Sequence, residues 1–236
     1  MLRGKVVMIT GASRGLGRAL SLACAREGAA LVVNSRNEDS LKPVAGEAEG
    51  AGAEVLAVAA DVSVEEDVEK LVNEAVGRFG KVDVLINNAG LLGPRVPIEE
   101  YPESEWRQVI EANLTAPFLL AKSVIPHMPE GGSIINVTSG VSIEGRAEWG
   151  AYSVSKFGVE GLTQILAAEL KDRGIRVNSV DPGGMRTEMR AAAYPDEDPN
   201  IRITPEENTD VFLYLASDES SGVIGERFKA QEFQPR

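Results

Sequence analysis

Three side chains, Ser139, Tyr152 and Lys156, are spaced in a way that could transfer a proton. Tyr152 and Lys156 stand four positions apart, which places both on one face of a helix. A free tyrosine has a pKa of about 10, and a neighbouring ammonium favours the phenolate and lowers that value. Ser139 could donate a hydrogen bond to a substrate oxygen. The trio predicts acid–base chemistry coupled to hydride transfer, although a Tyr–Lys pair at this spacing also occurs by chance on many helices.

A glycine-rich segment near the N-terminus could bind a phosphate. Gly11, Gly15 and Gly17 follow the short apolar strand predicted over residues 6–9 and open a helix. Glycine permits a sharp turn and a close approach of the backbone to a pyrophosphate. The helix N-terminus adds free N–H groups and the positive end of a dipole. Glycines alone indicate only a turn, but this position between the first strand and the first helix predicts a dinucleotide site.

The end of the second predicted strand favours NADP over NAD. An NAD site usually has an Asp or Glu there that binds the ribose 2′-hydroxyl. This strand ends instead in Asn34, Ser35 and Arg36. Arg36 and Arg14 could converge on a 2′-phosphate, for which a guanidinium is well suited. The alternative is two solvated arginines, and we predict that NADPH is preferred.

The elements that must position these residues alternate between short β-branched strands and longer helices. This alternation predicts an α/β fold over the single domain 1–236, a Rossmann-type doubly wound parallel sheet of about seven strands with helices on both faces. Ligands bind such sheets beyond the carboxyl ends of the strands, where both motifs fall. The strands are predicted at 6–9, 30–34, 55–59, 83–86, 133–137, 175–180 and 226–230. The helices are predicted at 15–27, 38–50, 64–79, 103–128 with a bend near Pro117, 152–173 and 206–216.

Composition narrows the possible partners. The net charge of −12 argues against nucleic acid and anionic membranes as partners. No apolar run approaches the roughly 20 residues that span a bilayer, and no hydrophobic signal region opens the chain, so we expect a cytoplasmic protein. The single cysteine, Cys24, should be buried, and the single histidine, His127, should lie at a helix end. A catalytic histidine and a transition-metal site are therefore not expected.

Together these motifs resemble the short-chain dehydrogenase/reductase family, in particular its 3-oxoacyl-reductase-like members. The resemblance extends from about residue 4 to residue 225. The matching residues are 10–17, 61–62, 87–90, Asn113, Ser139, Tyr152 with Lys156, and 182–183 followed by Thr187.

The resemblance implies a role for each matching residue. Tyr152 would be the general acid/base, Lys156 would hold the nicotinamide ribose and lower the pKa of Tyr152, and Ser139 would position the carbonyl. Asn113 would anchor a water that relays protons, or would simply be a helix-bend residue, and Asn87 is as readily a sheet-stabilising amide as a ligand. The implied cofactor contacts are Gly11, Ser13, Arg14, Gly15, Leu16, Gly17, Arg36, Asp61, Val62, Asn88, Tyr152, Lys156, Met185 and Thr187.

Two departures from the family pattern qualify these expectations. The substrate-covering segment is short, at about residues 188–204, and residues 194–200 have the composition of an irregular loop. A short cover suggests an open site, a bulky substrate or a weak enzyme. The C-terminal segment 228–233 lacks the Asp-Gly-Gly ending common in the family, which weakens the case for the usual tetramer. A homodimer at least is expected, through the helices over 103–128 and 152–173.

The sequence therefore predicts an NADP-dependent oxidoreductase that acts on a small-molecule carbonyl or secondary alcohol. The alternative is a cofactor-binding regulatory protein of the same fold with little turnover. The candidate substrate-lining segments, 91–97, 141–149 and 185–194, are mixed in character and name no substrate.

Overall fold

Short, mostly apolar runs form the seven strands of one sheet in the computed structural model, which describes residues 1–234. The first strand, β1, reads Val6, Val7, Met8 and Ile9 without a polar residue. Val7 and Ile9 pack into the core on one face of the sheet, and Val6 and Met8 pack into the core on the other. A strand with both faces covered therefore has an apolar residue at every position.

All neighbouring strands are parallel, in the order β3-β2-β1-β4-β5-β6-β7. The chain order reverses between β1 and β4, so a crevice opens there beyond the carboxyl ends of the strands. This topology confirms the predicted doubly wound α/β fold. The strands are β1 (Val6–Ile9), β2 (Ala30–Ser35), β3 (Val55–Ala59), β4 (Val84–Asn87), β5 (Ser133–Val137), β6 (Arg176–Asp181) and β7 (Arg227–Lys229).

Helices cover both faces of the sheet. Leu20, Leu41 and Phe212, from the first, second and last helices, lie in the core of one face. Leu71 and Leu120 lie in the core of the other face. The helices are α1 (Gly15–Arg26), α2 (Glu38–Gly50), α3 (Glu65–Phe79), α4 (Glu103–Ile110), α5 (Ala116–Val124), α6 (Gly150–Leu170), α7 (Glu188–Ala193) and α8 (Asp210–Ala216).

The helix predicted over 103–128 is interrupted. A five-residue π-helical turn, Glu111–Thr115, separates α4 from α5, and Pro117 stands at the start of α5. The break therefore begins before the proline that was expected to cause it. Single π turns inside α-helices accommodate one extra residue and are frequent at functional sites. The predicted helix 206–216 is also divided, into a 3-10 turn, Glu206–Asn208, and α8.

The isolated Cys and His occupy the positions expected of them. Cys24 is fully buried in α1, and burial raises the pKa of its thiol to about 12. His127 is exposed at the end of a short 3-10 turn that follows α5. No helix within residues 1–234 is long and apolar enough to cross a lipid bilayer.

Candidate active site

The structure brings Ser139, Tyr152 and Lys156 together beyond the carboxyl end of β5. The Ser139 side chain lies close enough to Tyr152 to act on the pKa of its hydroxyl. Lys156 is 5% exposed, and its Nζ lies 5.8 Å from the centroid of the Tyr152 ring. The same Nζ donates a 2.7 Å hydrogen bond to the carbonyl of Val137, the last residue of β5. The sequence spacing therefore did identify a real cluster, held by α6 against the end of a central strand.

Burial dominates the electrostatics of this cluster. It raises the pKa of Tyr152 to about 12, although the hydrogen bond from Ser139 acts in the opposite direction. It lowers the pKa of Lys156 to about 8, against the opposing charge of Glu160. The lowering of the Tyr152 pKa that was expected from Lys156 is not seen in this structure, because loss of solvent around the phenolate outweighs it. Tyr152 is therefore protonated at neutral pH, as a proton donor must be.

Asn113 lies in the π-helical turn and joins it to two other parts of the site. Its Oδ1 accepts from the Leu91 N–H at 2.7 Å, and its Nδ2 donates to the Leu91 carbonyl at 2.9 Å and to Ser155 Oγ at 3.1 Å. A Cβ placed on Gly90 would lie 3.2 Å from Asn113 Oδ1 and 3.9 Å from Lys156 Nζ. Asn113 thus sits at the helix break and also borders the same glycine as Lys156.

The glycine loop after β1 packs too closely against its neighbours to leave room for side chains at Gly11 and Gly17. Gly11 has a φ of +63°, and a Cβ on Gly17 would lie 2.2 Å from the Gly11 carbonyl oxygen and 2.6 Å from Asn88 Nδ2. Asn88 Nδ2 donates to the carbonyls of Thr10 and Gly11 at 2.9 and 3.2 Å. Asn88 therefore braces the loop, a role that its position after β4 did not reveal.

The N-terminus of α1 fits an anionic ligand. Within residues 1–234 the Arg14 N-cap side chain makes no capping hydrogen bond, which leaves first-turn N–H groups available. Ser13 is partly exposed beside this turn, whereas Leu16 is 6% exposed and packs in the core, so Leu16 could contact a cofactor only through its backbone. A cradle bounded by glycine backbone and free N–H groups is the donor set that a pyrophosphate requires.

The two arginines expected at a 2′-phosphate have different environments. Arg36 is exposed just beyond β2 and makes no hydrogen bond or ion pair with any described residue, 1–234. Arg14 pairs with Glu188, the first residue of α7. The nearby acid Asp39 is paired with Lys42 at 2.6 Å. Arg36 is thus the cation available to a 2′-phosphate near the end of β2. Arg14 would have to break its ion pair with Glu188 to bind the same phosphate.

Asp61 and Val62, the expected adenine contacts, follow β3. Burial would raise the pKa of the Asp61 carboxyl, but hydrogen bonds from Ser63 and the charge of Arg36 outweigh it and lower that pKa. Val62 is 6% exposed. The Asp61 carboxylate is therefore near enough to Arg36 for that charge to act on it.

Met185 and Thr187 connect the end of β6 to the covering segment. Met185 forms an isolated parallel bridge with Ile203, and Thr187 Oγ1 caps α7 by accepting from the Arg190 N–H at 3.2 Å. A Cβ on Gly15 would lie 3.6 Å from Thr187 Cγ2, so this turn borders the glycine loop. The expected cofactor residues from both halves of the chain are therefore neighbours.

The covering segment, residues 188–204, contains a helix that was not predicted. The signal for α7 was present, since Thr187 is a favourable N-cap and Ala191–Ala193 favour a helix. Glu197 accepts hydrogen bonds from Arg190 and Arg202 at 2.6 Å, and these bonds lower its pKa to about 2. Residues 194–200 are otherwise irregular, as expected, except for the start of a 3-10 turn.

An aromatic wall, consisting of Arg95, Trp149 and Tyr194, lies beside Tyr152. The Trp149 ring centroid is 5.7 Å from that of Tyr152 and 6.1 Å from that of Tyr194. The Arg95 guanidinium lies 4.8 Å from the Trp149 centroid and donates to the Ala193 carbonyl at 2.6 Å. Trp149 therefore packs between Tyr152 and Tyr194, at one side of a tyrosine that stays partly exposed. The sequence placed Arg95 and Trp149 among the lining segments but could not pair them.

Asn87 makes the sheet-stabilising contact that was one of its two expected roles. It ends β4, and its Nδ2 donates to Asn136 Oδ1 on β5 at 2.8 Å. Asn136 in turn donates to Thr163 Oγ1 on α6 at 2.9 Å. This buried chain of amides joins the centre of the sheet to the helix that carries Tyr152.

Comparisons with known proteins agree with this geometry. A family model described as short chain dehydrogenase matches residues 5–198. The chain is 36% identical to the Escherichia coli protein named uncharacterized oxidoreductase YciK, over 98% of this chain and 93% of the relative. It is 37% identical to the 3-oxoacyl-[acyl-carrier-protein] reductase FabG of Thermotoga maritima, over 95% of each. The structure of a Shigella flexneri short-chain dehydrogenase in complex with NADP matches with a TM-score of 0.92 at 36% identity, covering 98% of both chains.

Lys156→Met should stabilise the folded protein at pH 7. The pKa of Lys156 falls from 10.5 to about 8 on folding, so keeping its charge buried costs up to about 3 kcal/mol, partly offset by the bond to Val137. Between pH 8 and 10.5 the unfolded chain binds more protons, wild-type stability rises with pH, and the advantage of the variant shrinks.

Denaturant unfolding of both proteins across this pH range measures the difference in the free energy of unfolding. The contribution of Tyr152 titration cancels in that difference because both proteins retain this residue. Lys70→Met removes an exposed lysine and is the control, with no pH-dependent difference expected. A Lys156→Met protein that is less stable than wild type at every pH would contradict the prediction.

Proposed function

Because this chain belongs to the short-chain dehydrogenase/reductase family, we propose that it transfers a hydride between NADP(H) and a carbonyl or secondary alcohol, with Tyr152 as the general acid/base. The observation that carries the proposal is the grouping of Ser139 and Tyr152 beside buried Lys156, at the carboxyl ends of the strands, where the glycine loop also lies. A regulatory protein would not require a serine, a tyrosine and a buried lysine grouped in this way.

The roles of the residues follow from their positions. NADPH, when bound, supplies the hydride. Ser139 Oγ donates a hydrogen bond to the carbonyl oxygen of the substrate, and Tyr152 Oη transfers its proton to the same oxygen. Lys156, with a pKa of about 8, carries a positive charge at neutral pH that favours the phenolate left on Tyr152. Asn113 fixes the Leu91 backbone beside this lysine.

The cofactor preference follows from the end of β2. An exposed and unpaired Arg36, with no carboxylate at the strand tip among the described residues, favours the 2′-phosphate of NADP(H) over the free hydroxyl of NAD(H). The NADP complex of the Shigella flexneri relative supports this choice.

We further propose that two copies of the chain associate through α6 and α5. On α6, Val154, Phe157 and Ile165 are 48%, 44% and 56% exposed, whereas Ala151, Leu166 and Ala167 are buried. On α5, Phe118 is 49% exposed. Positions 154, 157 and 165 follow a helical stripe on α6. An exposed apolar stripe of this kind is typical of a subunit interface.

Tyr152→Phe should bind NADPH normally but lose turnover by about 10²–10⁴-fold, since the ring stays and the proton donor is removed. NADPH oxidation with a panel of ketones, quinones and 3-oxoacyl thioesters measures the effect. Tyr214→Phe, on α8, is the control and should retain activity. A Tyr152→Phe enzyme with more than about half of the wild-type kcat would exclude this residue as the donor, and NADPH binding without turnover in the wild type would favour the regulatory alternative.

Arg36→Asp should weaken NADPH binding about 10- to 100-fold while NADH binding changes little, because one charge-assisted contact contributes about 1.5–3 kcal/mol. Fluorescence titration with both cofactors measures the two Kd values. Arg26→Asp, at the end of α1, makes the same charge change at another exposed site and should leave both unchanged. Equal wild-type affinities for NADH and NADPH would contradict the proposed preference.

Phe157→Glu should convert the proposed dimer to a monomer, because it places a carboxylate in the middle of the apolar stripe. Light scattering at micromolar concentration gives the molecular mass. Val64→Glu, at an exposed helix N-cap, is the matched control and should leave the mass unchanged. A wild-type monomer under these conditions would overturn the proposed assembly.

A further inference from the structure

Three charged side chains lie around the segment that contains Ser139. Glu160 on α6, Asp181 at the end of β6 and Arg227 on β7 have only 13%, 11% and 21% of their side-chain surfaces exposed. Arg227 Nε lies 3.0 Å from Glu160, and another of its nitrogens lies 3.1 Å from Asp181. Charges withdrawn from water in this way contribute little net stability, so stability alone gives no reason for the arrangement.

Arg227 also reaches the catalytic segment itself. The nitrogen that binds Asp181 donates a 3.2 Å hydrogen bond to the main-chain carbonyl of Ser139. Ser139 is the first residue beyond the Thr138 that continues from β5, and it has left the ladder of the sheet. The guanidinium therefore holds the Ser139 carbonyl together with the Ser142 N–H, which donates to the same oxygen at 3.0 Å.

Glu160 secures the residues on either side of Ser139. It accepts hydrogen bonds from Thr138 Oγ1 at 2.8 Å and from Ser142 Oγ at 2.9 Å. Its second oxygen accepts from Ser179 Oγ on β6 at 2.7 Å. One carboxylate thus ties the segment that contains Ser139 to both α6 and β6.

We propose that Arg227, together with Glu160 and Asp181, is a positioning residue that holds Ser139 in the geometry needed to bind the substrate oxygen. This inference rests on the proposed function and extends it to the last strand of the sheet. A planar guanidinium donates from several nitrogens in fixed directions. An ammonium also has three donors, but they sit on one nitrogen and rotate. A hydrogen-bond donor that is displaced by about 1 Å from the reacting oxygen can cost about 100-fold in rate.

The test compares Arg227→Met and Arg227→Lys with the wild type, using the carbonyl compound of highest wild-type turnover. For Arg227→Met we expect kcat to fall about 10- to 100-fold, while KM and the Kd for NADPH change less than about threefold, since the lost contact acts mainly in the transition state. Arg227→Lys keeps a charge between the two carboxylates and should fold, but should still lose about 3- to 10-fold in kcat.

Arg176→Met separates positioning from general destabilisation. Arg176 is also a buried arginine, but it is the first residue of β6, at the opposite end of that strand from Asp181. It donates to the carbonyls of Leu215 and Ser217 at 2.9 and 3.1 Å. It should lower the melting temperature while leaving the kcat of the folded enzyme within about twofold of wild type.

Two results would overturn the inference. One is unchanged kcat in Arg227→Lys, or in a folded Arg227→Met. The other is a loss of kcat in Arg176→Met as large as that in the Arg227 variants. A wild-type protein that turns over no carbonyl substrate would instead contradict the proposed function, so the two failures are distinguishable.

Discussion

The geometry of the candidate site depends on the hydrogen bond from the buried Lys156 ammonium to the Val137 carbonyl. This bond joins the second turn of α6 to the end of β5, and so it sets where Tyr152 stands relative to Ser139. A buried cation without such a partner would be very costly. The same burial lowers the pKa of Lys156 to about 8 and raises that of Tyr152 to about 12. The packing that builds the site therefore also sets its protonation state.

A second constraint acts through backbone rather than charge. Gly17, in the first turn of α1, lies so close to the Gly11 carbonyl that no side chain fits at this position. The turn before α7 borders the same loop through Thr187, and Arg14 pairs with Glu188. The cofactor loop and the covering segment are thus in direct contact, so a ligand that engages Arg14 would also act on the first turn of α7.

Most of the polar groups around the site are held by residues distant in the chain. Arg227 and Ser139 are separated by 88 positions, and Asn113 and Leu91 by 22. The aromatic wall likewise joins Arg95 to Ala193, 98 positions apart. These long-range contacts hold the surroundings of Tyr152 and Ser139, while local structure supplies the spacing of Tyr152 and Lys156.

The sequence by itself determined the strands, the order of the elements and the cluster of Ser139, Tyr152 and Lys156, because apolar runs, helical spacing and glycine turns are local signals. It predicted a bend in the helix over 103–128 but not that the bend is a π-helical turn at Glu111–Thr115, where Asn113 bonds to Leu91, 22 positions earlier in the chain. It also predicted the wrong direction for the pKa of Tyr152, because spacing shows a neighbouring charge but not the loss of solvent. The contact of Trp149 with Tyr152 and the bond from Arg227 to Ser139 were decided only by the tertiary structure, which alone fixes which distant side chains meet and how much water they lose.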